Sequence, residues 1–273
     1  MKGLDKVLQG VLKFRKTIRK DLVKQFEEVR DNPQPTALFF TCMDSRILPS
    51  TVTQSNVGDM FVVRNSGNMI PGSRSFGNVG HEVSVNTEPA ALELAVTRGK
   101  INHVVVCGHS DCKAINTLYN LHTGVNKFSE KSPMDRWLRL NGYHSLKKLE
   151  MRENNGPNVP LKFENDDQKF SFYAYIDKEN KLNIEDKLSQ INTLQQVLNI
   201  ASHEFMFDYM ANNKVFIHAM WFDIYDGNMY LFSKPEQCFI KVDEKNTDQL
   251  LRYVENEMKG ISNNHQHSNN CCH

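Results

Sequence analysis

The sequence predicts an α/β protein, with a central, mainly parallel sheet flanked by helices and an N-terminal helical arm in front. Three observations carry this prediction. Short, continuously apolar runs at 37–41, 60–63, 103–107 and 215–225 read as strands covered on both faces, which is how parallel strands look. Helical periodicity separates them, at 89–98 and again at 185–212. The chain has 273 residues, 40% of them hydrophobic, enough to bury a full core without staples.

Each element follows in order. Residues 1–30 repeat Leu4, Val7, Leu8, Val11, Ile18, Leu22, Phe26 and Val29 at three- and four-residue steps, so they read as one amphipathic helix. Its first twenty residues hold seven basic side chains and one acidic. A docked arm and a mitochondrial targeting helix both fit, although the stretch is Lys-rich and lacks Ser. Pro33 and Pro35 end it. Strands follow at Ala37–Thr41 and Met60–Val63. A helix from Pro89 to Arg98 opens with Pro in its first turn and stops at Gly99. His103–Cys107 is a third strand. Residues 153–169 are polar and read as an irregular surface excursion. A long helix covers 185–212. Val215–Tyr225 turns through Asp226-Gly227-Asn228 into Met229–Phe232, a hairpin. Thr247–Met258 is a last helix. The domain reading is an arm at 1–35, a main domain at 36–260, and a polar, low-complexity tail at 261–273 that reads as disordered.

Composition excludes several classes. Net charge is +1, which argues against a nucleic-acid partner. No apolar run reaches 18 residues, so no membrane insertion is expected. Six cysteines, unevenly placed, do not make a disulfide framework, and no secretory signal opens the chain. In a reducing compartment, cysteines near histidines point to metal or catalysis.

Cys42-Met43-Asp44-Ser45-Arg46 follows the first strand, and Cys107-Gly108-His109-Ser110-Asp111-Cys112 follows the third. Loops at the carboxyl ends of such strands meet where strand order reverses. If those two strands are neighbours, Cys42, His109 and Cys112 converge. Two thiolates and an imidazole suit Zn²⁺, and three protein ligands leave its fourth position open, as at a catalytic zinc. The alternatives are plain buried Cys and His, or closure of the site by Asp44 or Asp111.

Cys-x-Asp-x-Arg after one strand and Gly-His-x-x-Cys after a later one resemble the β-class carbonic anhydrases. Phe61-Val62-Val63-Arg64-Asn65-Ser66-Gly67-Asn68 and Pro35 are similar to that family as well, and Ser189 to Leu194 with Trp221–Ile224 look like its animal members. The resemblance implies the β-carbonic anhydrase fold for the main domain. It implies reversible hydration of CO₂ to bicarbonate and a proton, with one Zn²⁺ per chain held by Cys42, His109 and Cys112, and a zinc-bound hydroxide as nucleophile. Asp44 would aim that hydroxide, and Arg46 would hold Asp44 ionised and off the metal. Gly108 would border the CO₂ site, its lack of a side chain sparing the metal from crowding. Phe61 and Leu94 would line an apolar pocket. Gln34 stands beside Pro33, which occupies the place where many members carry a pocket Gln. Phe39 replaces the Trp of a bicarbonate-regulated subgroup, which favours the open form. Arg64 and Asn65 read as structural. The resemblance further implies a homodimer or a tetramer. The basic N-terminus leaves the address cytoplasmic or mitochondrial. Competing readings are a hydrolase of CS₂ or COS using the same zinc, a structural zinc module, and redox chemistry by Cys107 and Cys112.

Overall fold

The computed structural model describes residues 2–75, 87–165 and 170–259. The tail 261–273, with His265, His267, Cys271, Cys272 and His273, lies outside the described residues, as does His81. In chain order the helices are α1 Lys2–Lys16, α2 Arg19–Asp31, α3 Pro49–Val52, α4 Thr87–Glu93, α5 Lys113–Thr123, α6 Pro133–Asn155, α7 Ile184–Ala201, α8 Glu204–Ala211 and α9 Thr247–Met258. The strands are β1 Ala37–Cys42, β2 Met60–Asn65, β3 His103–His109, β4 Leu161–Glu164, β5 Ser171–Ala174, β6 Phe216–Phe222, β7 Met229–Ser233 and β8 Cys238–Lys241.

One six-stranded sheet runs β2-β1-β3-β6-β7-β8. Its first four strands are parallel, and β7 and β8 return antiparallel. The chain goes from β1 outward to β2, then crosses back so that β3 pairs on the other side of β1. The crevice of an open α/β sheet lies at such a reversal. The apolar runs read as strands are strands, and their burial explains them: Leu38, Phe39 and Phe40 are buried on both faces of β1. Helix α7 covers the sheet and is buried almost throughout.

The structure corrects several expectations. The arm is two helices, because the chain turns at Thr17-Ile18, where the Thr17 hydroxyl donates back to the Lys13 carbonyl at 2.8 Å. The 185–212 segment also breaks, where the Ser202 hydroxyl donates to the Asn199 carbonyl at 2.7 Å. Residues 153–169 are not simply irregular. Helix α6 reaches Asn155, and β4 pairs with β5 through the buried Leu161 and Phe163. Helices α5 and α6 and strand β8 were not foreseen. Strand β3 continues two residues past Cys107, to His109. The helix read at Pro89–Arg98 is α4 followed by a π-helical turn, Leu94–Arg98, which Gly99 stops with an ordinary helical φ of −80°. A Cβ there would meet the Ala95 carbonyl oxygen at 2.7 Å, so close approach and not a left-handed turn requires the glycine.

Cys42, Cys107 and Cys112 are free thiols, and they and Cys238 are buried. Among the described residues no helix is long and apolar enough to cross a membrane.

Candidate metal centre

Strand β1 ends on Cys42, β3 ends on His109, and Cys112 is the residue that starts α5. Because β1 and β3 pair in parallel, with Thr41 opposite Cys107, all three lie at the carboxyl end of the sheet. Their ligand atoms fall within 4.8 Å of one another and all three residues are buried. The two sulfurs are 3.8 Å apart. The His109 Nδ1 sits 2.7 Å from the Ser110 carbonyl oxygen. A carbonyl only accepts, so Nδ1 carries the proton and Nε2 presents its lone pair. That Nε2 is buried and has no hydrogen-bond partner. An orphaned buried acceptor costs free energy unless something fills it, and a cation between the two sulfurs does so. The donor set therefore fits a tetrahedral Zn²⁺ with one position left over.

Electrostatics agree. A hydrogen bond from the Cys112 thiol pulls Cys42 down to about 4, with His109 and the backbone N–H groups of Gly67 and Asp44 acting in the same direction. The Cys42 thiolate in turn pushes Cys112 far above the usual thiol range. The pair shares one proton until a cation replaces it. The N–H groups of Ala114 and Ile115, in the first turn of α5, also favour a thiolate at Cys112. Cys107 lies outside this cluster, and burial pushes its thiol up to about 12, which makes it a poor redox partner.

Asp44 is not part of the cluster. Arg46 Nε donates to its Oδ1 at 2.9 Å and Nη2 to its Oδ2 at 2.6 Å, and the Arg46 backbone N–H adds a third bond at 2.9 Å. This grip holds the Asp44 carboxyl well below the usual carboxylate range. Arg64 is structural, as expected: it donates to the carbonyls of Cys42, Asp44 and Ile47 at 3.0, 2.7 and 2.9 Å, pinning the loop after β1. Asn65 closes the loop after β2, donating to the Met69 carbonyl at 2.6 Å and accepting the Met69 N–H at 2.9 Å.

The carbonic anhydrase family profile matches residues 37–229. Beta carbonic anhydrase 1 of Caenorhabditis elegans is 59% identical over 91% of this chain and 92% of its own length. The chain belongs to the β-class carbonic anhydrases. Members of this family are zinc enzymes and carbonate dehydratases, and the Cys42–His109–Cys112 group is able to hold one zinc. Among solved structures the fold is similar to the β-carbonic anhydrase CcaA, with a TM-score of 0.68 and 24% identity, covering 90% of this chain and 94% of that one. It is also similar to tetrameric β-carbonic anhydrases of Sordaria macrospora, with a TM-score of 0.59 and 17% identity over 85% and 97% of the two chains.

Two features of this carbonic anhydrase go beyond the sequence reading. A Cβ on Gly108 would meet the Thr193 Oγ1 at 2.0 Å and Trp221 Cδ1 at 3.3 Å. The glycine lets α7 lie against β3, a packing constraint that the sequence reading does not include. Helix α7 is the first part of the long helix read at 185–212, but the sequence reading gives it no role at the site. Its Ser189 hydroxyl donates to the His109 carbonyl at 2.6 Å and accepts from Trp221 Nε1 at 3.1 Å. Asn192 donates to the Gly67 carbonyl at 3.0 Å, and the Ile70 N–H donates to Gln196 at 2.7 Å. The Ser-Gln-x-Asn-Thr-Leu stretch carried the signal, as polar residues at helical spacing inside an otherwise apolar segment.

The expected pocket residues are not gathered by one chain. Phe61 is 42% and Leu94 53% exposed, so neither forms an enclosed wall by itself. Gln34 is exposed and donates weakly to Asn32 at 3.4 Å. It precedes β1, whose five residue steps of about 3.3 Å each separate it from Cys42, so it lies at the far end of the sheet from this chain's own centre.

Two outcomes follow from this geometry. Gly108→Ala should destabilise the protein by about 1–3 kcal/mol through overpacking, and adding Thr193→Ala should recover most of that loss in a urea titration. Zinc uptake by the metal-free protein should release about one proton near neutral pH, because Cys42 is already ionised and Cys112 is not. Affinity should therefore rise with pH until Cys112 ionises unaided. Calorimetry at about pH 6, where zinc-bound water keeps its proton, in two buffers of different ionisation enthalpy counts the thiol proton, and a count of zero or two there would contradict the shared-proton pair.

Proposed function

We propose that this chain catalyses the reversible hydration of CO₂ to bicarbonate and a proton at the Cys42–His109–Cys112 centre, with Asp44 and Arg46 as the orienting dyad. The observation that carries the reading is that three buried ligand atoms converge while the nearby Asp44 carboxylate is bound to Arg46 and stays out of the cluster. Zinc, when bound, lowers the pKa of its water so that hydroxide is available near neutral pH.

The protein residues supply the orientation. An ionised carboxylate can only accept hydrogen bonds. The attacking water must therefore direct a hydrogen at Asp44 and a lone pair elsewhere, toward the carbon of CO₂. Arg46 keeps Asp44 ionised and keeps both of its oxygens occupied, so that it does not close the fourth position. The ligand set carries two negative charges, which cancel those of the ion. It withdraws less charge from water than three imidazoles would, so activity should climb from about pH 6 to about pH 9. An apolar wall suits CO₂, and Phe61 and Leu94 are offered for it on the exposed side of the chain.

That wall needs a partner. The arm leaves Leu4, Val7, Leu8 and Val11 exposed, α2 buries none of its residues, and edge strand β2 exposes Phe61 and Val62. A monomer does not ordinarily leave so much apolar surface in water. A second copy of this chain, in a homodimer or a dimer of dimers, is the occupant we assign.

Asp44→Asn should lower kcat roughly a hundred-fold while zinc stays near one per chain, whereas Cys42→Ser should lose the zinc itself. Stopped-flow CO₂ hydration with metal analysis reads both, and retention of full turnover by Asp44→Asn would sink the dyad. Sedimentation of the full chain at micromolar concentration should show a dimer or larger, and removal of residues 1–31 should weaken it. A full chain that sediments as a monomer would remove the second copy.

A further inference from the structure

Arg46 is held from two sides. Asp44 takes its Nε and Nη2 hydrogens. On the other side Nη1 donates to Asp111 Oδ2 at 2.8 Å, and Nη2 donates to the Asp111 carbonyl oxygen at 2.9 Å. Four of the five guanidinium hydrogens are thus committed, although the Arg46 side chain is 41% exposed. An exposed Arg–carboxylate pair alone would be loosely held.

Asp111 is itself fixed. Its φ of +48° lies in the left-handed region, which Asp tolerates better than most residues. Its N–H donates to Asp186 Oδ1 at 2.7 Å, and Asp186 is buried at the start of α7. Lys113 Nζ and Asn116 Nδ2 donate to its Oδ1 at 2.7 and 3.2 Å, leaving Oδ2 for Arg46. Asp111 also sits between His109 and Cys112 in the chain, so its position is tied to two of the three metal ligands.

We infer that Asp111 is a positioning residue for the reaction: it anchors Arg46 to the His109–Cys112 loop and thereby sets where Asp44 stands relative to the metal. Asp44 follows Cys42 on one loop, whose backbone holds the carboxylate by a single bond, from the Arg46 N–H to Oδ1 at 2.9 Å. The bridge Asp44–Arg46–Asp111 closes a second path between the carboxylate and the ligand-bearing loop. Misplacement of an orienting group by about 1 Å can cost on the order of a hundred-fold in rate. Asp186 takes part from behind, holding the left-handed peptide so that the Asp111 carbonyl faces Arg46.

This inference rests on the Asp44–Arg46 reading and is tested by a double-mutant cycle on the zinc-loaded full chain. Asp111→Asn keeps a side chain that tolerates a positive φ, and Asp111→Gly removes the carboxylate where φ again permits the residue. Each should lower kcat about ten-fold or more with KM for CO₂ little changed. Zinc should stay at one per chain and the melting temperature should hold. In the Asp44→Asn background, Asp111→Asn should add less than about two-fold, since it acts through Asp44. A second readout does not depend on turnover: the Arg46 Nε–H signal in a ¹H–¹⁵N spectrum, assigned by its loss in Arg46→Lys, should broaden or vanish in Asp111→Asn. Multiplicative losses in the cycle, an unchanged kcat in both Asp111 variants, or loss of zinc on substitution would each overturn the inference. If Asp44→Asn lowers kcat and Asp111→Asn does not, only the inference fails. If Asp44→Asn leaves kcat unchanged, the dyad fails first.

Discussion

Hydrogen bonding of β1 to β3, in a register that sets Ala37 against His103 and Thr41 against Cys107, brings together two strand ends 66 residues apart in sequence. A slip of one residue would turn either Cys42 or His109 to the opposite face of the sheet, and the donor set would be lost. The register is defended on both sides. Leu38 and Phe40 bury in the main core cluster along with Val104 and Val106, so a slip would expose part of that core. The Thr41 hydroxyl also donates to the Cys107 carbonyl at 2.9 Å inside the sheet, a buried bond specific to this pairing. Position of the metal site is therefore inherited from packing, before any ligand chemistry enters.

Helix α7 converts that placement into rigidity. A helix buried almost throughout should be apolar all round, yet α7 buries Ser189, Asn192, Thr193 and Gln196. Each has partners: Ser189 reaches the backbone of His109, Asn192 reaches Gly67, Thr193 donates to the Ser189 carbonyl, and Gln196 reaches Ile70. Loops after β2 and β3 would otherwise bury carbonyls and N–H groups without partners. The polar face of α7 satisfies those groups and fixes both loops to one rigid body. Gly108 permits this by letting the helix approach to where a side chain would collide with Thr193.

The sheet strands near the centre were legible because parallel strands are apolar on both faces, and Phe39-Phe40 or Val104-Val105-Val106 have no other use. The three ligands were legible because they end those strands. What escaped reading has a physical explanation in each case. Strand β4 offers only Leu161 and Phe163 to the interior, too short an alternation to stand out from polar neighbours. Strand β8 is four residues long. Helix α6 carries Gly142 at its middle, which reads as a breaker. In the fold a Cβ there would strike Leu118 at 2.3 Å, so the glycine serves the packing of α5 on α6. Asp111 reads from sequence only as an acid that could close the site, since nothing in a linear motif shows which of two acids will share an arginine. Gln34 is near Cys42 along the sequence, but the extended strand between them separates the two within one chain.

The coupling of the two thiols also explains how this core tolerates the centre before metal arrives. A buried pair of thiolates would repel strongly in low dielectric. With one proton between the sulfurs, a single negative charge remains, and the N–H groups of Gly67 and Asp44 point at it. Cys42 and Cys112 meanwhile count among the residues of the main apolar cluster, and the carbonyls of Cys42 and His109 are already held by Arg64 and Ser189. The backbone around the ligands thus has its partners within the protein, and the coordinating atoms are placed by the sheet and α7. What a cation adds is replacement of the shared proton and occupation of the lone pair on His109. In this fold the metal is a guest of preformed strand ends, unlike small zinc domains in which metal binding and folding are one event.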